Sequence, residues 1–211
     1  MTAETAFQTE IDCEEDLRSL YGEPGEMAVR KCIDHLDHHC RAFIALSPFV
    51  CVGTSGADGS SDVSPKGDAP GFVHVLDDRT LAIPDRPGNN RLDSATNVVA
   101  NPHVGLLFMI PGIDETLRVN GVARISTDPS VLERMEVQGK LPRSAMVVEV
   151  REAMMHCAKA FRRSRLWSDD YRQERSALAP LAQMVRDQAG ADYDVEKAQA
   201  GLEHNYKTGL Y

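Results

Sequence analysis

Long apolar runs are missing from this chain. No stretch approaches the roughly 20 apolar residues of a membrane helix, and the opening MTAETAFQTEIDCEEDL has neither the basic start nor the apolar core of a secretory signal. Blocks of like charge are missing too. The 32 acidic and 23 basic residues are interspersed and leave a formal net charge of −9. The clustered positive face that nucleic acid or an anionic membrane requires is therefore not written in the sequence. Cysteine pairing has no pattern: Cys13, Cys32, Cys40, Cys51 and Cys157 are odd in number, widely spread and form no CxxC. Reduced thiols are expected in place of a disulfide framework. There is no internal repeat and no low-complexity segment. These absences describe a cytoplasmic protein with no nucleic-acid partner and no membrane.

What is present suffices for one core, since 211 residues can fold without staples. The expected organisation is a single domain over 1–211, with a helical arm at 1–41, a barrel at 42–157 and a C-terminal helical extension at 158–211. EEDLRSLYG reads as a short helix stopped by Gly22. Pro24 then introduces a second helix over GEMAVRKCIDHLDHHC, with Ala28, Cys32 and Leu36 on one stripe. The period changes to two in RAFIALSPFVCVGTSG, DVSPKGDAPGFVHVLDD and RTLAIPD, with a tight turn at Asp77-Asp78. A helix fits NNRLDSATNVVAN. HVGLLFMIPG, ETLRVNGVARIST and SAMVVEVREAMMHC follow as strands, the last two separated by DPSVLERMEVQG, with an Asp-Pro helix start and Gly139 as a stop. From Lys159 the pattern is helical and polar, down to the weakly patterned tail GLEHNYKTGLY. Short connections make most strands adjacent and antiparallel. The fold class is α+β, mainly β: an antiparallel barrel with helices at its ends and side.

Three strings carry chemistry. IPDRPGNNR sets Arg86, Asn89, Asn90 and Arg91 at the start of a helix, where unpaired N–H groups and the helix dipole attract anions. Guanidinium groups add charge-assisted bonds to phosphate. An Asn cap followed by solvated arginines gives the same string. DVSPKGDAPG puts Ser64, Lys66 and Asp68 on one strand face, and Pro65 and Pro70 mark an edge strand or broken pairing. That face is either a ligand wall or an edge protected by charge. ETLRVNG puts Thr116, Arg118 and Asn120 on one face, which a salt bridge from Arg118 to Asp68 or Asp85 would also explain.

Other clusters carry less. DHLDHHC sets His35 and His39 four residues apart with Asp34, Asp37, His38 and Cys40 nearby, but no second cluster completes a ligand set, and no metal is expected. His156 reads as a histidine at a strand–helix junction. Arg162, Arg163 and Arg165 either bind a polyanion or form a solvated face balanced by Asp169 and Asp170. No general acid or base stands out; Lys66, Asp68 and Glu115 are candidates by proximity alone.

In this order and spacing, SPKGD, IPDRPGNNR and ETLRVNG resemble the pyridoxamine 5'-phosphate oxidase-like family of FMN-binding split β-barrels, over Ala42 to Val150. The resemblance implies an antiparallel split β-barrel with flanking helices, in a homodimer with two FMN sites at the subunit interface. It implies that Arg86, Asn89, Asn90 and Arg91 hold the phosphate, while the main chain of Ile83, Pro84 and Asp85 runs beside the flavin. Ser64, Pro65 and Lys66 would lie along the ring and its polar edge, where a cation stabilises negative charge. Thr116 and Arg118 would reach the pyrimidine edge or the ribityl chain. Trp167 either caps the flavin from the partner subunit or is an interface or core aromatic. Two family features are missing: the C-terminal Trp-and-Arg-Leu-type signature and the basic RxxxLK-type string of the first strands. The implied function is an FMN-dependent oxidoreductase with a substrate other than pyridoxamine phosphate. The alternatives are a flavin sensor or carrier without turnover, a barrel using deazaflavin or haem, the latter with His156 as its ligand, and a partner-binding barrel with a degenerate site.

Overall fold

The computed structural model describes residues 10–190 and 192–211. The chain divides into two compact units, 1–32 and 33–211. In the first, α1 (Glu14–Tyr21) ends at Gly22, whose φ of 71° lets its N–H turn back to the Arg18 carbonyl. α2 (Glu26–Arg30) follows Pro24-Gly25 and is short.

The second unit corrects two sequence expectations. The helix expected to continue through Cys40 does not. Ile33 pairs with Ala153 as an isolated bridge, and helix resumes as α3 (His38–Leu46), capped by Asp37, which accepts the Cys40 N–H at 2.8 Å. α3 in turn takes the first half of the expected strand RAFIALSPFV. Cys40, Phe43 and Ile44 bury one helical face, and the period of two begins only beyond Pro48.

Seven strands follow: β1 (Phe49–Ser55), β2 (Ser61–Gly67), β3 (His74–Val75), β4 (Thr80–Pro84), β5 (His103–Met109), β6 (Thr116–Ser126) and β7 (Ala145–His156). Between them lie α4 (Asp93–Ala100), after β4, and α5 (Pro129–Leu132), after β6. After β7 come α6 (Lys159–Ser164), α7 (Leu181–Ala189) and α8 (Val195–Thr208). α8 absorbs most of the tail that looked weakly patterned, because Asp194 caps it through the Lys197 N–H.

All pairings are antiparallel, in the order β2-β1-β5-β6-β7-β4-β3. This is the split-barrel architecture. Strand alternation sends Val50, Val52, Leu106, Phe108, Leu117, Val119 and Val148 inward, where Leu36, just before α3, and Ile44 of α3 meet them. Each such side chain, fully buried, contributes about 1.5–3 kcal/mol. A smaller core forms on the other face of β4 and β7, where Ala82, Ala145 and Val147 meet Leu132 and Met135. These two strands are thus covered on both faces, which explains their continuous apolar runs.

β2 is the last strand on one side of the sheet, and Pro65 sits in it as an edge position allows. Towards β4 there is no ladder, and side chains cross the slit instead. Lys66 Nζ lies 3.6 Å from Asp85 Oδ1, and Arg86 Nε donates to Asp68 Oδ2 at 2.7 Å. The split in the barrel is closed by charge.

Candidate functional site

The slit opens into a cavity of about 950 Å³. One wall is the inner face of β2, where Ser64 and Lys66 alternate as half-buried residues, as their spacing predicts, with Asp68 just beyond the end of the strand. The second wall is the segment from Asp85 into α4. Ser94 donates to the Ser64 hydroxyl at 2.9 Å, and Asn97 donates to Thr54 and Asp62 at 3.1 and 2.8 Å, so α4 is fastened across β1 and β2. The third wall is Lys140 to Ser144, with Tyr211 at the mouth.

The start of α4 is unusual. Asn90 and Leu92 have positive φ, 57° and 61°, and Leu92 is the N-cap, a position where it offers no side-chain acceptor. Positive φ at these two positions bends the chain sharply just ahead of the helix. The helix begins at Asp93, later than the pattern suggests, because Asn89 and Arg91 are used in the turn: Asn89 Oδ1 accepts the Arg91 N–H at 3.0 Å. Arg91 Nε donates to Asp93 Oδ2 at 2.9 Å, and that bond pushes the Arg91 pKa up.

The other end of the cavity is built around Asp68, whose side chain is 3% exposed. Burial works against its charge. The Tyr211 hydroxyl, the Ala69 N–H and the Arg86 guanidinium outweigh it, and the Asp68 pKa falls below the usual carboxylate value. Arg86, 16% exposed, also donates to the Met135 carbonyl at 3.0 Å. The carboxylate it shares with Tyr211 pushes the phenol's pKa up. His74 is held toward its neutral form, first by burial and then by Arg86 and Arg134.

Electrostatics set this cavity apart from the rest of the molecule. Lys66, Arg86, Arg91, Lys140 and Arg143 line it, against the carboxylates of Asp85 and Asp93, in a chain whose net charge is −9. Among the described residues Arg143 has no carboxylate partner.

Seven of the residues expected from the sequence meet here: Ser64, Lys66, Asp85, Arg86, Asn89, Asn90 and Arg91. Ile83 and Pro84 are buried in β4, paired with Met146 and Ala145. Pro65, opposite Cys51, faces the other side of the sheet, as does Arg118, opposite Leu107. Thr116 is buried at the start of β6. Arg118 pairs with Glu152 at 2.6 Å, not with Asp68 or Asp85, and Asn120 donates to the same carboxylate at 3.2 Å. Its Nε is buried without a partner. Trp167 donates to the Ile113 carbonyl at 2.9 Å and packs beside Phe161, away from the cavity.

Sequence reasoning missed Lys140, Arg143 and Tyr211. A signal for the first two existed: Gln138 and Gly139 have φ of 53° and 74°, the two-residue hairpin geometry that carries Val137 back onto Lys140. For Tyr211 there was none.

The histidine cluster is engaged elsewhere. Asp37 caps α3, and Asp34 is tied to His35 and Arg79, which holds its pKa at about 2. Burial pushes the Cys40 thiol up to about 11. Asp37, His38 and His39 stand close together at the surface.

The family model for pyridoxamine 5'-phosphate oxidase matches residues 36–157, more than half of the chain. The protein belongs to that family. None of the curated protein sequences matches it. Among solved structures it is similar to HupZ of Group A Streptococcus, at 17% identity and a TM-score of 0.47 over 56% of this chain and 92% of that one. A protein of Clostridium acetobutylicum related to general stress protein 26 gives 13% identity and a TM-score of 0.40 over 56% and 85%. The FAD binding protein of Mycobacterium smegmatis gives 18% identity and a TM-score of 0.39 over 58% and 98%. Among the described residues no helix is long and apolar enough to cross a membrane.

Proposed function

We propose that this protein binds FMN non-covalently in the cavity and acts as an FMN-dependent oxidoreductase, as a cytoplasmic homodimer. The observation that carries the reading is the convergence of five cationic side chains and a helix start on one cavity of an otherwise acidic chain. A phosphate dianion suits that donor set: the first-turn N–H groups of α4, which no side chain caps, the Asn89 amide, and the Arg91 guanidinium. Arg91 and the first turn of α4 would hold the phosphate, while Arg86, bound to Asp68 and Met135, would shape the opposite end. Lys66 would face the ring edge, its charge offset by Asp85. When bound, the flavin supplies two-electron transfer, and the protein supplies position, electrostatics and exclusion of water. The proposed substrate is a compound other than pyridoxamine phosphate.

A second copy of the chain would sit on the outer face of β1, β5, β6 and β7. Cys51, Leu107, Met109 and Met154 are only half-buried there, and Arg118 Nε has a donor to spare. Thr116, Arg118 and Trp167 would then serve the partner's flavin.

The visible spectrum of the purified protein, with mass spectrometry of what heat releases, tests this reading. A two-banded yellow spectrum and released FMN are expected. A colourless protein that ignores added FMN overturns the reading. A flavin carrier without turnover is the second reading. It is favoured because Lys66, Asp68, Asp85 and Asp93 are all committed to ion pairs, leaving no free acid or base in this group. In that case the reduced protein-bound FMN reacts with acceptors no faster than free FMN.

A further inference from the structure

The tail beyond α8 returns to the cavity, and Tyr211 meets three partners from separate parts of the chain. Its hydroxyl donates to Asp68 Oδ1, its ring lies 5.4 Å from the Arg86 guanidinium, and its main-chain oxygen accepts from Lys140 Nζ at 2.7 Å. These are the contacts of a ligand in a site. Asp68 is almost wholly buried, with one oxygen on Arg86 and the other shared by the Ala69 N–H and the phenol. Loss of the phenol leaves that oxygen with the Ala69 N–H alone, so a hydroxyl suits the position. A flat π system suits the guanidinium face, and an oxygen suits the ammonium of Lys140.

We propose that the corner formed by Asp68, Arg86 and Lys140 is a subsite for a flat hydroxyaryl ligand bearing an oxygen acceptor, the chemistry of a para-hydroxyaryl carboxylate. Tyr211 is its tethered occupant, displaced when the ligand enters. The corner and the start of α4 mark opposite ends of one cavity. Ser64 touches α4 and Asp68 touches Tyr211, and four residues of extended strand span about 13 Å. An aromatic substrate at one end and a phosphate at the other are therefore compatible. The subsite stands on the contacts of Tyr211 alone and does not depend on the flavin reading.

Calorimetric titration of the flavin-free protein with 4-methylphenol tests the proposal, using the native chain and Tyr211→Gly. A tether competes at high effective concentration, so the Gly variant should bind one equivalent about tenfold or more tighter than the native chain. Toluene, which lacks the hydroxyl for Asp68, should bind the variant about tenfold more weakly than 4-methylphenol. Tyr211→Phe keeps the ring but loses the bond to Asp68, so its affinity for 4-methylphenol should fall between those of the native chain and the Gly variant. Equal affinity in the native and Gly chains, equal affinity for toluene, or free entry into the Phe variant each overturns the proposal. A measurement on the native chain covers failure of the Gly variant to fold. Excess 4-hydroxyphenylacetate should move the ring resonances of Tyr211 to those of a solvent-exposed tyrosine, and unchanged resonances overturn displacement. Flavin binding is read separately by the spectrum, so either idea can fail alone.

Discussion

At the scale of single residues, the cavity separates charges that bind from charges that build. Arg91 is exposed and shared only with Asp93, whereas Arg86 is committed to Asp68 and Met135. Arg91→Ala should therefore weaken FMN by about 1.5–3 kcal/mol while leaving riboflavin almost unchanged, because only the phosphate contact is lost. Parallel fluorescence titrations with the two ligands check this, and equal losses would remove Arg91 from the phosphate site. Asp68→Asn should instead destabilise the fold by about 3 kcal/mol, since it leaves Arg86 buried without its countercharge. The pH dependence has a definite sign. Asp68 has a lowered pKa in the folded state, so its stabilisation is complete above about pH 4 and is lost as pH falls through the folded value. Denaturant midpoints of the native and Asn proteins should converge on acidification.

At the scale of elements, two features shape the barrel. The first is the register shift between β6 and β7 at Asn120/Gly121, where a Cβ on Gly121 would run into the Glu149 carbonyl and the Val148 side chain. Neither neighbour can yield without moving β7, so Gly121→Ala should cost about 1–3 kcal/mol, read as a lower melting temperature. The second is α3. Its apolar residues read equally well as the start of a strand, and only the Asp37 cap and burial of Cys40, Phe43 and Ile44 decide for helix. Short apolar runs carry too little period to separate the two. By contrast, β5, β6 and β7 were legible throughout, because each alternates or is continuously apolar over a long run.

At the scale of the whole molecule, the proposed dimer couples assembly to cofactor binding. Leu107→Arg places a charge on the half-buried outer face of β5, where Arg118 already stands opposite. Light scattering should show a dimer for the native chain and a monomer for the variant, with FMN affinity lost in the same step. A monomeric native protein that retains FMN would reject the interface.

Local pattern was enough for the antiparallel strands, the edge position of β2 and the seven residues that meet in the cavity. In each case a period of two, a proline without an N–H, or a helix-start string acts over a few residues. Contacts across long separations were beyond it. Arg118 chose Glu152 over Asp68, Arg86 took Asp68 instead, and Tyr211 came back to a carboxylate 143 residues away. These partners differ little in local sequence from the ones they displaced. Only the curl of the sheet, which brings β2 against β4 and turns Arg118 to the opposite face, decides which charges can meet.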